Sequence, residues 1–237
     1  MPARTDELTD DAPATSRRGR RFTAWPLWAT VAGALGLFTL FSETRADSHG
    51  SDFAYPITAE DVASLSHSTF RLAGITGYLT VLALLVFAAL WRQRVERRYP
   101  GSLGAALVTV GVVATSGLVA LTSGWRGALG NYLPGGLEEG SYDPHGLLGY
   151  YMMNDFSPYI AWVPLLAAAF GLAWMGLREG LVSRGLGVLA GLLAVALLTA
   201  TFLTGVPGLP GMSIIGLVVG GIWLAVGRNA VIRGSAG

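Results

Sequence analysis

The chain contains neither cysteine nor lysine. Without cysteine there are no disulfides, thiolate metal sites or iron–sulfur clusters. Without lysine no Schiff base forms, which excludes a retinal-type chromophore. Charge is scarce as well: 13% of the 237 residues are Asp, Glu, Lys or Arg, about half the usual share in a soluble domain. Together with 52% hydrophobic residues, this excludes an ordinary soluble globular protein, a disordered chain and a collagen. The formal net charge is only +1, so no nucleic-acid partner is expected.

What fills the chain instead is apolar sequence. A membrane-spanning helix needs about 20 predominantly apolar residues, and six segments meet or approach this: 22–41, 70–91, 103–123, 158–177, 186–204 and 209–227. The first is too long for a signal-peptide core and is read as a retained helix. The expected architecture is all-α, a six-helix transmembrane bundle over 22–227, between a disordered tail at 1–21 and a short tail at 228–237. Gly205-Val206-Pro207-Gly208 is a turn cluster that makes the last two segments a helical hairpin. Gly187 and Gly191 on one arm, and Gly216 and Gly220 on the other, are spaced by four. Small residues at this spacing let helices approach closely, and packing within the hairpin is their expected use, with a homodimer face as the alternative.

Arginine placement orients the bundle. Cytoplasmic segments carry the excess of basic residues. With the N-terminus inside, thirteen arginines fall inside and only Arg45, Arg71 and Arg126 outside. Nine of the fifteen acids fall outside. The reading is a bacterial cytoplasmic membrane protein with both termini cytoplasmic. Its surroundings are the lipid bilayer, with a homo-oligomer or a partner membrane protein as further candidates.

The spans are short of chemistry. Apart from Arg71 near an end, none contains Asp, Glu, His, Arg, Asn or Gln. Proton relays, ion pumps and carriers of charged solutes place ionisable groups in the membrane, so no electrogenic flux is expected. His49, His67 and His145 all lie outside the apolar segments, which disfavours haem ligated within the bundle. No Gly-x-Ser-x-Gly elbow occurs.

Any chemistry therefore belongs to the two long outer loops, 42–69 and 124–157. Thr58 with Asp61 predicts a capping box opening a helix from Ala59 to Trp91. At 33 residues it would exceed the hydrocarbon core and project outward. His67 and Arg71, four apart, share its face at the water boundary. The second loop holds Trp125, Tyr132, Tyr142, Tyr150 and Tyr151, read as an interfacial aromatic belt or a lid. Residues 145–153 are expected to form a short interfacial helix, and Ser157-Pro158 resembles a cap and first-turn proline for the fourth span. A polar cluster of His67, Arg71, Asp143, His145, Asn154 and Asp155 is the candidate site, with Arg71–Asp155 as its expected ion pair. Imidazoles and carboxylates suit zinc, but the spacing matches no metal motif, so neither metal nor cofactor is expected.

Ser68-Thr69-Phe70-Arg71-Leu72-Ala73-Gly74 opens the second span, and the basic loop from Arg92 to Arg98 closes it. This pattern resembles an uncharacterised six-helix bacterial membrane family, and the all-arginine, Ala- and Gly-rich composition looks actinobacterial. The resemblance implies the architecture and brings no activity, cofactor or catalytic residue. Three functional classes follow: a non-enzymatic protein acting through its outer surface or partner helices, a carrier of a small apolar or amphipathic solute, and an outer-interface enzyme using His67 and His145. A carrier predicts an internal cavity with Ser and Thr in its lining. An enzyme predicts converging histidines. A scaffold predicts tight glycine packing throughout.

Overall fold

A computed structural model describes residues 23–42, 56–227 and 229–233. The expected tail at 1–21, His49 and the last residues, 234–237, lie outside the described residues. Among those described there is helix and no strand: α1 Leu27–Phe41, α2 Ala59–Ala63, α3 His67–Trp91, α4 Leu103–Tyr132, α5 Pro144–Ile160, α6 Leu165–Trp174, α7 Arg184–Thr204, α8 Ser213–Val226 and α9 Ala230–Arg233. The architecture is an all-α bundle. Apolar chain in a bilayer must satisfy its backbone internally, and helix does so within one segment. Five helical runs, 67–96, 103–132, 144–179, 184–204 and 209–226, are long and apolar enough to cross a membrane, and α1 is shorter at 15 residues.

Local chemistry sets the boundaries. Pro26 precedes α1, so the first helix starts later than the apolar run does. The Ser102 hydroxyl accepts from Ala105 N at 2.9 Å and starts α4. Gly180 and Gly205 adopt φ of 66° and 69°, the left-handed geometry that ends a helix most cheaply at glycine. The expected capping box is present: Thr58 accepts from Asp61 N while Asp61 accepts from Thr58 N.

Three expectations are corrected. The helix opened by Thr58 stops at Ala63, and α3 begins anew at His67. The Ser64 hydroxyl donates to Asp61 O at 2.7 Å, a local bond that competes with helix continuation. The short α2 then folds onto α5. The fourth span does not start at Ser157-Pro158. Asp143 is the cap, accepting from Gly146 N at 2.8 Å, with Pro144 in the first turn, and α5 runs through Pro158. The third span does not end at Ser123 but continues to Tyr132, carrying Arg126 into the bundle.

At one end, the arginine end, α3 and α6 each finish in a π-helical turn, Arg92–Glu96 and Met175–Glu179. Each turn delivers a carboxylate to the first two turns of α4, Glu179 at its very start. Thr109 Oγ1 donates to Glu96 Oε2, and Ser102 Oγ to Glu179 Oε2, both at 2.5 Å. A carboxylate beside a helix N-terminus is favourable. Trp25, Phe87 and Trp91 cluster nearby, with centroids 5.9–6.1 Å apart. Asn229 closes this end by accepting from Ser183 N at 2.8 Å.

The opposite, tyrosine end has its own small core of Val62, Phe70, Leu129, Leu133, Leu147 and Tyr151, which fastens α2 and α5 to the α3–α4 pair.

Candidate functional sites: an apolar cleft and a buried arginine

The helical hairpin does not close on itself. A Cβ placed on Gly187 would stand 2.9 Å from the Cα of Gly176, and one on Gly191 would stand 3.1 Å from the Ala173 side chain. The glycines of α7 therefore serve packing against the preceding helix, α6, and its π turn. The α8 helix leans away onto α1, where Gly33 meets Val218 and Gly221 meets Thr30. Across the gap, Gly216 faces only the tip of Leu193, and a Cβ on Gly220 would meet nothing within 4 Å. The expectation of mutual glycine packing between α7 and α8 is thus corrected. Its physical reason is that each helix finds a better-fitting small-residue partner elsewhere.

The space between them is a cavity of about 270 Å³. Phe87 and Trp91 form its wall at the arginine end, and Leu172, Leu193 and Leu217 line its flanks. Ser213 supplies the hydroxyl of the lining, and it donates to the Trp162 carbonyl at 3.5 Å. Along α8 the cleft runs from Ser213 to Leu224, about 17 Å at 1.5 Å per residue. Leu189, Ile215 and Val219 line the cavity and are 47%, 43% and 40% exposed. The cleft is therefore continuous with the outer apolar surface, on the side where lipid would lie. Apolar cavities stay dry and take apolar guests.

The second site is polar. Arg126 lies on α4, is 3% exposed, and donates through Nη1 to the Thr39 carbonyl near the end of α1. Its Nε is buried and has no hydrogen-bond partner. A small cavity of about 10 Å³ adjoins it, lined by Thr39, Thr80, Thr122, Ser123 and Trp162 among others. The expectation of spans without an ionisable group is corrected here. The apolar run read from the sequence stops before Arg126, whereas the helix does not. The signal that could have found it is the pattern Gly-Trp-Arg-Gly-Ala-Leu-Gly, which continues the small and apolar spacing on both sides of the charge.

The residues of the expected polar cluster are dispersed in role. His67 is half-buried, with its ring against Gly135, where a Cβ would approach to 2.8 Å. Arg71 is exposed, Asp155 is half-buried, and no ion pair joins them among the described residues. Asp143 is occupied as the α5 cap. His145 is exposed on the first turn of α5. Asn154 is buried and donates to Tyr150 O at 3.3 Å, leaving its Oδ1 without a partner. Among the described residues no three His, Asp or Glu side chains converge as a metal site would require.

The loop aromatics pack instead. Tyr132, Tyr142 and Tyr150 form a trio with centroids 4.6–5.4 Å apart. The Tyr150 hydroxyl, hydrogen-bonded to Tyr142, holds the Tyr142 phenol above its usual range.

No family model, curated protein or solved structure matches the chain.

Proposed function

We propose that this protein is a multi-pass membrane protein that houses the hydrocarbon tail of a lipid, or of a similar amphipathic molecule, in the cleft between α7 and α8. The observation that carries the reading is the 270 Å³ apolar cavity continuous with exposed lipid-side residues. It supports the carrier class over the other two. A scaffold would have its seams closed, and among the described residues His67 and His145 form no joint site with the nearby acids. Against the sequence expectation for a carrier, the lining is almost wholly hydrocarbon, which selects a tail and not a polar solute. Such a site binds by shape and dispersion, with no ionisable group needed.

The test is retention of a lipid by the purified protein. Native mass spectrometry of wild type after exhaustive delipidation should show one held lipid per chain. Gly220→Phe points a ring into the cleft from a position with no neighbour within 4 Å. It should abolish retention while leaving thermal stability in place. Equal retention by the two proteins would refute the reading.

The reading also places the arginine end in the cytoplasm of a bacterial cell, from the clustering of Arg92, Arg94, Arg97, Arg98, Arg178 and Arg184 there. The chain has no cysteine, so an introduced one is a clean reporter. Arg97 is exposed, and Arg97→Cys should resist a membrane-impermeant maleimide in intact cells and react after permeabilisation. Labelling in intact cells would reverse the orientation.

A further inference from the structure

We infer that the small cavity beside Arg126 is a binding site for a monatomic anion of halide size. The first argument is charge. A guanidinium remains protonated in proteins and has five donors, and burying a cation without compensation is costly. Arg126 is 3% exposed, and no carboxylate pairs with it among the described residues. Among the described residues, the titratable group that feels its charge is Tyr159, whose phenol is neutral at neutral pH. The carbonyl end of α1 supplies roughly half an elementary negative charge, and among the described residues no anionic side chain supplies the rest.

The second argument is the donor inventory. One nitrogen of Arg126 is used on the Thr39 carbonyl, and Nε–H is unmatched. The Thr39, Thr80 and Thr122 hydroxyls donate to carbonyls of their own helices, at 2.9, 2.9 and 3.2 Å. Ser123 lines the cavity, and among the described residues no hydrogen bond engages its hydroxyl. Arg126, with donors to spare, and Ser123, with a free hydroxyl, thus line one cavity. Trp162 joins them in the lining, with its ring carbons Cζ2 and Cη2 turned toward Gly36. An aromatic edge carries partial positive charge.

The third argument is size. The cavity of about 10 Å³ is near the minimum for a single water-sized particle. That admits chloride or bromide with slight adjustment and excludes carboxylates, sulfate and phosphate. Water would fit equally well but would bring no negative charge to the cation. This site is separate from the α7–α8 cleft and does not depend on that reading.

The test uses the full chain in detergent, melted by intrinsic tryptophan fluorescence. Sodium gluconate is exchanged for sodium bromide or chloride at constant ionic strength. Wild type should show a saturable rise in melting temperature with either halide and none with sulfate. Ser123→Ala should weaken the apparent halide affinity several-fold, and Arg126→Gln should remove the saturable response. Crystals soaked in bromide should show an anomalous peak in the cavity lined by Arg126 and Ser123. If Arg126→Gln does not fold, wild type and Ser123→Ala decide the matter. A wild-type melting temperature indifferent to anion identity would overturn the inference and leave Arg126 as a cap on α1 beside a water. A halide response unchanged in Ser123→Ala would also overturn it, by placing the halide elsewhere, such as on the exposed arginines.

Discussion

The α3–α4 seam and the α7–α8 seam both join successive antiparallel helices through short connections, and both contain glycine. They could hardly differ more in packing. On α3, a Cβ at Gly74 would lie 2.9 Å from the Gly127 Cα, and on α4 a Cβ at Gly130 would lie 2.7 Å from Arg71 N. Backbone meets backbone there. Between α7 and α8 a Cβ meets one leucine tip or nothing. Half of the apolar window of α3 is buried against 17% of that of α7. Lipid tails are as apolar as leucine, so helices in a bilayer gain little from merely hiding apolar surface, and close packing decides which pairs form. A pair that does not pack closely leaves space that hydrocarbon fills. One seam is thus structural and the other is available for binding.

The largest effect should come from breaking the closed seam. Gly74→Leu drives a side chain into the α4 backbone, which cannot swing aside as a side-chain tip can. Overpacking of a well-filled core costs about 1–3 kcal/mol and occasionally more, and this case belongs at the upper end or beyond. The melting temperature in detergent should fall sharply, and Gly130→Ala should act in the same direction. Gly127→Ala is the internal control. It sits in the same seam, yet its own Cβ would meet nothing within 4 Å. Alanine also favours helix over glycine by up to about 1 kcal/mol, so this variant should match or exceed wild type. A loss of stability in Gly127→Ala as large as in Gly74→Leu would mean that glycine flexibility, and not close approach, holds the seam.

A smaller effect is expected where α7 packs on α6. Gly187→Ala places a methyl 2.9 Å from the Gly176 Cα and 3.3 Å from the Leu172 carbonyl. The contact is again with backbone, but α7 is the most peripheral span and can shift outward. A cost of about 1–2 kcal/mol is expected. Gly216→Ala meets only a Leu193 methyl, which can rotate away, and should be near neutral. If Gly216→Ala proves the more damaging of the two, the hairpin closes on itself after all and the cleft does not persist in the membrane.

How much of this contrast is legible in the sequence follows from what each signal measures. Hydropathy locates the spans because backbone in lipid has to be helical, and the Thr58–Asp61 capping box is legible because all its partners lie within four residues. Gly187 and Gly191 are legible as a packing face, but their partners, Gly176 and Ala173, are not, because spacing by four says that a face is small and nothing about what stands opposite. Ser157-Pro158 resembles a helix start, yet the helix passes through it, since Asp143-Pro144 upstream already supplies the cap. Arg126 escapes for a different reason. A hydropathy run ends at a charge, whereas a helix ends only when its backbone bonds do, and the acceptor for this charge is the Thr39 carbonyl, 87 residues away. The Arg71–Asp155 pair illustrates the converse. Matching depth brings two helix ends level, and only the rotation of each helix about its axis decides whether the side chains meet.

The smallest stability effect, and the sharpest comparison, is expected at Gly220. Its Cβ direction is open, and it lines the α7–α8 cleft beside Leu224 and Gly216. Gly220→Leu adds a side chain to the space that the proposed function assigns to a lipid tail. Two contributions favour the variant: glycine in a helix interior is costly by up to about 1 kcal/mol relative to alanine, and new dispersion contacts form inside a poorly filled cavity. Opposing them, if the cleft binds a tail as proposed, is the loss of that ligand, whose stabilisation of the folded state grows with its concentration over its dissociation constant. In lipid-free detergent the first two should prevail, and Gly220→Leu should melt at or slightly above wild type. In lipid-rich micelles wild type should gain stability and the variant should not, so the order narrows or reverses. The crossing of these two melting series is the signature of a cleft that binds hydrocarbon. Parallel series, with lipid shifting both proteins equally, would mean that the tail binds elsewhere and that the α7–α8 seam is loose without being a site.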